Sequence, residues 1–165
     1  MAEYESEVSH AFLQEIGQGG DSFNLARAAL LFARSAYPNL DCGWYLGQLD
    51  LIAKDVSVRC AASASLNDLL ETLREYFFQQ LGYSGNIEDY YDPRNSYLNE
   101  VIDRRTGIPI TLSIVFLEIA DRLGLDACGI SFPGHFLIGV NDGVDELIVD
   151  AFDGGTALQL SLIHI

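Results

Sequence analysis

Residues 95–124 read NSYLNEVIDRRTGIPITLSIVFLEIADRLG, and residues 125–152 continue LDACGISFPGHFLIGVNDGVDELIVDAF. The first stretch holds two helices separated by Gly107-Ile108-Pro109. Asn95 or Ser96 can cap a short helix over 97–105, with Leu98, Val101 and Ile102 inward, Asp103, Arg104 and Arg105 outward, and Gly107 as its stop. The basic pair Arg104-Arg105 suits the negative end of that helix. Pro109 then falls at the first position of the next helix, where its missing N–H costs nothing. Leu112, Val115, Phe116, Ile119, Ala120 and Leu123 fill one broad face of this second helix, Glu118, Asp121 and Arg122 mark a wet side, and Gly124 ends it. About 15 residues at 1.5 Å each make a rod of roughly 22 Å, long enough to cross a small domain. Beyond Gly124 the period changes. Residues 127–132, 135–140 and 146–152 read as strands, separated by Pro133-Gly134 and by the hairpin signal Asn141-Asp142-Gly143. Leu147-Ile148-Val149 is apolar at every position, so that strand is expected to be covered on both faces.

Upstream, the pattern is helical. Asp21 or Ser22 can cap a helix over 23–36 that is apolar on most sides, and Pro38 stops it. Asp41 can cap the next, to about residue 56, with Cys42, Tyr45, Leu46, Leu49, Ile52, Ala53 and Val56 as one core stripe. Cys42 reads as a small core hydrophobe; Trp44 falls off the stripe, as a lid over the core edge or part of a binding patch. Ser65 and Asp68 open a third helix as a capping box does, with Leu66, Leu69, Leu70, Leu73, Phe77 and Leu81 along its apolar face and Gly82 after it. Tyr83, Tyr90, Tyr91 and Tyr97 gather around the loop 83–94, as a recognition surface or as packing over the core. Residues 1–21 read as a loose lead-in containing a solvated His10, residues 22–157 as one domain with a helical subdomain over 22–82, and residues 158–165 as an apolar end, either an edge strand or the point where a longer chain continues. A helical half, a central buried helix and a small antiparallel sheet make an α+β domain.

Composition narrows the function. The chain has 165 residues, 49% hydrophobic and 20% charged, with a formal net charge of -15. So negative a surface repels phosphate backbones and anionic lipid heads, so neither nucleic acid nor membrane is expected as a partner. Cys42, Cys60 and Cys128 are widely spaced and form no CxxC pair, so no zinc site, cofactor or disulfide framework is indicated, and a cytoplasmic setting is expected. No apolar run approaches the roughly 18 residues of a membrane span.

The chemistry-bearing residues are His135 on one strand and Asp150 at the end of another. Brought toward the start of the 109–123 helix, they are two members of a hydrolytic triad. They serve equally as a bracing pair, with one ring nitrogen of His135 on Asp150 and the other on backbone.

The runs Asn95 to Val101, Gly107 to Ser113, Arg122-Leu123-Gly124-Leu125, Phe132-Pro133-Gly134-His135-Phe136 and Asp150 to Gly155 resemble the SirB-type branch of the transglutaminase-like superfamily, over roughly residues 20 to 157. The resemblance implies a cysteine-protease-like core: a Cys at a helix N-terminus, a His on one strand and an Asp on the next. It matches His135 to the His and Asp150 to the Asp, and it puts the Cys position on Pro109, which has no nucleophile. Thr111 and Ser113 lie in the same turn, but a hydroxyl needs a stronger base than a thiol. Cys128, on the strand before His135, is the best alternative nucleophile, although a buried core cysteine is the expected state there; Cys60 has no placement argument. The expectation is a non-catalytic binding or regulatory module with a protein partner, the rival an acyl-transfer or amide-hydrolysing enzyme using His135, Asp150 and Cys128. Members of this branch commonly carry tetratricopeptide repeats downstream, which this sequence lacks.

Overall fold

Local capping chemistry sets most of the helices. In the computed structural model, which describes residues 23–159 together with residues 10, 11, 13, 14 and 17, helix α1 spans Leu25–Ala33, α2 Cys42–Arg59, α3 Leu66–Arg74, α4 Leu98–Arg104 and α5 Pro109–Arg122. Asp41 caps α2 by accepting the Trp44 N–H at 3.0 Å, and Ser65 and Asp68 cap each other's backbone at the start of α3. The cap of α1 is Asn24, whose Oδ1 accepts from Arg27 N at 2.7 Å, and not Asp21 or Ser22, which lie outside the described residues. Residues 10, 11, 13, 14 and 17 of the expected 1–21 lead-in are helical, and the rest of that segment lies outside the described residues. Residues 160–165, most of the apolar end, lie outside the described residues.

Three local expectations are corrected. Helix α3 does not run unbroken to Leu81. Its backbone widens into a π turn over Glu75–Gln80, where Leu81 N–H reaches Tyr76 O, and Gly82 follows with φ 76°. The wider turn accommodates Phe77 and Phe78, whose rings both pack on Phe116 of α5. Helix α4 is closed by Arg105 in the left-handed region, φ 55°, not by Gly107. Gly107 is needed for space: a Cβ there would sit 2.8 Å from Thr111 Oγ1 and 3.0 Å from Val101 Cγ2. Neither Asn95 nor Ser96 caps α4. Its N-cap is Tyr97, without a side-chain bond, preceded by a 3-10 turn over Pro93–Ser96.

Strands β1 (Ser84–Gly85) and β2 (Thr106–Gly107) make a short parallel pair just ahead of α5. After α5 come β3 (Asp126–Phe132), β4 (His135–Asn141), β5 (Glu146–Asp150) and β6 (Thr156–Gln159), an antiparallel sheet in the order β3-β4-β5-β6. Register follows the two hairpins, Phe132 opposite His135 and Asn141 opposite Glu146. Side chains alternate across a strand, so the pairs Ile138–Val149 and Val140–Leu147 share one face. That face joins Leu112, Val115, Phe116, Ile119 and Ala120 of α5 in the core. All of Leu147, Ile148 and Val149 are buried. Helices α1, α2 and α4 pack on α5 from the other side, which makes α5 the axis of an α+β domain.

Candidate functional site

The start of α5 is built from short-range polar contacts. Pro109 occupies the first helical position. Thr111 Oγ1 accepts the Ile108 N–H at 3.2 Å and donates to the Asn95 carbonyl at 2.8 Å, so its hydroxyl is committed to structure. Asn95, 1% exposed, pins the preceding loop: its Nδ2 donates to the carbonyls of Asp89 and Tyr90, and its Oδ1 accepts from Asn86 Nδ2. Ser113 is fully buried and its Oγ has no partner among the described residues.

The sheet brings His135 and Asp150 to the same end of the domain as Pro109. Asp150 ends β5, and Phe152 just beyond it packs where a Cβ on Gly85 would stand, with Gly85 bridged to Gly107. Asp150 also shares a sheet face with His135, because residue 137 falls opposite residue 150 when the Ile138–Val149 register is extended by one. That shared face is the one turned away from α5, since the opposite parity holds Ile138 and Val149 in the core. His135 is exposed, and no hydrogen bond or ion pair joins it to Asp150. The carboxylate is used locally: Asp150 Oδ1 accepts the N–H groups of Phe152 at 3.0 Å and Asp153 at 3.2 Å, shaping the turn into β6.

Cys128 is exposed on β3, not a core cysteine. It pairs with Gly139, while His135 pairs with Phe132. Four residues of strand, about 13 Å, separate them, too far for the sulfur to meet the imidazole. Cys42 is buried on α2 as expected, and Cys60 is half-buried at that helix's end. No group of His, Cys, Asp and Glu among the described residues is arranged to hold a metal ion.

A profile of the transglutaminase-like superfamily matches residues 43–163. The chain belongs to this superfamily. A UPF0162 protein of Xylella fastidiosa is 43% identical to it over 148 residues, covering 84% of this chain and 50% of that protein. A UPF0162 protein of Vibrio cholerae is 29% identical over 143 residues, 86% of this chain and 53% of the other. These relatives set it in the SirB-type branch, and the chain spans about half the length of the UPF0162 proteins it matches. Human F-box only protein 21 is 38% identical over 87 residues, 53% of this chain and 14% of that protein. No solved structure matches. No helix among the described residues is long and apolar enough to cross a membrane.

The four tyrosines do not form one surface. Tyr83 is buried and stacked on Phe77 at 4.2 Å, Tyr90 and Tyr91 lie against each other with Tyr90 also on Phe152, and Tyr97 packs on Phe32 and Tyr37. Sequence reasoning missed a polar cluster beside Tyr97. Tyr37 OH donates to Glu100 Oε1 at 2.9 Å and Tyr45 OH donates to Asp103 Oδ2 at 2.7 Å. Burial, then the bond to the carboxylate, raises the pKa of each phenol above its ordinary value. The partners lie 63 and 58 residues apart in the chain, a pairing without a local sequence signal.

Proposed function

We propose that this domain is a non-catalytic binding or regulatory module on a transglutaminase-like fold, with a protein as its partner. The observation that carries the reading is the residue opening α5. A thiol at that helix end would have a lowered pKa and be primed for attack. Pro109 offers no nucleophile, Thr111 is tied to Asn95, and Cys128 stands about 13 Å along β3 from the imidazole. The recurrence of 87 matched residues as 14% of a far longer F-box protein is what a reusable binding module would do. Three free cysteines suit a reducing compartment, and we assign the domain to the cytoplasm.

Iodoacetamide labelling at neutral pH, followed by intact mass, tests this reading. Every cysteine of the folded chain is expected to label no faster than in the unfolded chain, and His135→Ala is expected to leave the rates unchanged. A cysteine that labels faster when folded, and slows with His135→Ala, would mean a working nucleophile and overturn the proposal.

A further inference from the structure

Between the connection that follows α1 and the outer face of α4 lies a cleft of about 450 Å³, lined by Tyr37, Leu40, Tyr45, Asn99, Glu100 and Asp103, among others. Its chemistry is one-sided. Glu100 and Asp103 sit three residues apart on α4, a spacing at which like charges repel. Each accepts a phenol O–H, and neither takes part in an ion pair among the described residues. Among the described residues, no basic side chain lines the cleft. The nearest ones are engaged: Arg34 donates through Nε and Nη2 to the Leu40 carbonyl at 3.1 Å, and Arg94 is held on Asp92 at 2.7 Å. A separate observation points the same way. Asn99, 3% exposed, is part of the lining, and its Oδ1 has no hydrogen-bond partner among the described residues.

We propose that this cleft takes the guanidinium group of an arginine side chain presented by a partner protein. Two carboxylates and the unmet amide oxygen of Asn99 call for several donors from one cation. A guanidinium carries five in a plane, and that plane can lie against the rings of Tyr37 and Tyr45; an ammonium offers a point charge and no flat face. The rim favours a protein as the source. Trp44, 53% exposed, stands edge-on to the lining residue Tyr45 at 4.9 Å. An exposed aromatic ring beside a charged cleft fits the composition of a protein interface. The site adds to the binding reading without depending on Pro109: hydrolytic activity elsewhere in the domain would leave it standing.

Trp44 is the one tryptophan of the chain, so its emission reports on this cleft. The full chain is titrated with a blocked Gly-Arg-Gly peptide, its Gly-Lys-Gly counterpart and ethylguanidine. Saturable change is expected with the arginine peptide, with the lysine peptide and ethylguanidine each about tenfold weaker. Glu100→Gln with Asp103→Asn should weaken arginine-peptide binding about tenfold or more, while Glu71→Gln with Glu75→Gln, outside the cleft, should leave it unchanged. Asn99→Leu removes the orphan acceptor and should bind several-fold more weakly while melting no lower than the parent, which a purely structural asparagine would not do. The proposal fails if no signal saturates, if lysine binds as well as arginine, or if the cleft variants match the distant ones. Ethylguanidine binding as tightly as the peptide would mean a small cation and refute the protein source.

Discussion

Glu118 offers the sharpest test of how the helices are joined. Its place on the wet side of the 109–123 helix would make it expendable, yet it is 8% exposed and works in two directions. Oε1 accepts the backbone N–H of Ala26 at 3.0 Å, in the first turn of α1, where the helix dipole is positive. Oε2 meets Arg122 Nη1 at 2.8 Å, and Arg122 Nε in turn meets Asp50 of α2 at 2.6 Å. Burial alone would depress the Arg122 pKa, but its bonds to Asp50 and Glu118 hold it above the ordinary value. One carboxylate thus ties α1 and α2 to α5. Glu118→Ala strands a buried N–H, at about 1–3 kcal/mol, and removes one partner of a partly buried guanidinium that keeps Asp50, at about 1–2 kcal/mol more. The expected loss is about 3 kcal/mol, or roughly 6–12 °C in Tm for a chain of this size. Glu118→Gln keeps the acceptor for Ala26 and loses only the charge, so about 1–1.5 kcal/mol is expected. Urea unfolding of both variants, and of each with Arg122→Met, measures the two parts separately. An alanine variant no less stable than the glutamine variant, or a loss under about 1 kcal/mol, would show that the Ala26 bond does not hold α1 in place.

Two further outcomes follow from the packing. Gly107→Ala puts a methyl 2.8 Å from Thr111 Oγ1, which cannot yield because it bridges Ile108 N and Asn95 O. A loss of about 2 kcal/mol is expected, seen as a lower urea midpoint at unchanged slope, and an unshifted midpoint would mean the turn relaxes freely. Burial pushes the Tyr83 phenol up to about 12, so the folded state holds that proton more tightly than the unfolded chain, whose ordinary value is about 10. Its contribution is intact below about pH 10 and is lost as pH rises through about 12, so stability should fall across that window. Tyr83→Phe should lose less of it, by about 2–3 kcal/mol, while costing little at pH 7, since the hydroxyl's bond to Ile102 O is 3.5 Å long. Parallel alkaline curves for the two proteins would refute the assignment.

Where structure is set within a turn or two, the sequence is readable. Asp41, Ser65 with Asp68, Pro109 and the Pro133-Gly134 hairpin each act on neighbouring backbone, and the boundaries they set fall as expected. The misses have tertiary causes. The π turn after α3 exists because Phe77 and Phe78 pack on Phe116 and Phe78 presses on Gly155, contacts that no local propensity encodes. Glu118 is buried because the start of α1, ninety-two residues away, needs an acceptor. At the candidate site, the positions of His135, Asp150 and Pro109 within their elements were legible, but the side of the sheet was not. Phe136-Leu137-Ile138 is apolar at every position, so alternation cannot say which parity faces α5, and only the pairing of Ile138 with Val149 decides it. The exposure of Cys128 follows from the same register.

The features at the start of α5 need no nucleophile to persist. Gly107 is required because Thr111 and Val101 crowd it, and Thr111 because it closes the helix end and anchors the Asn95 loop. Residue 109 itself makes no demand on its own N–H, which at the first helical position has no partner to lose. Proline is pre-set there to the helical φ and restricts the unfolded chain, which is worth about 0.4–1 kcal/mol at a compatible site. A thiol in the same place would give no comparable support. Replacing one by the other therefore leaves the fold intact or slightly firmer while removing the chemistry. On the reading proposed above, membership of the superfamily and possession of a reaction separate at a single position, Pro109.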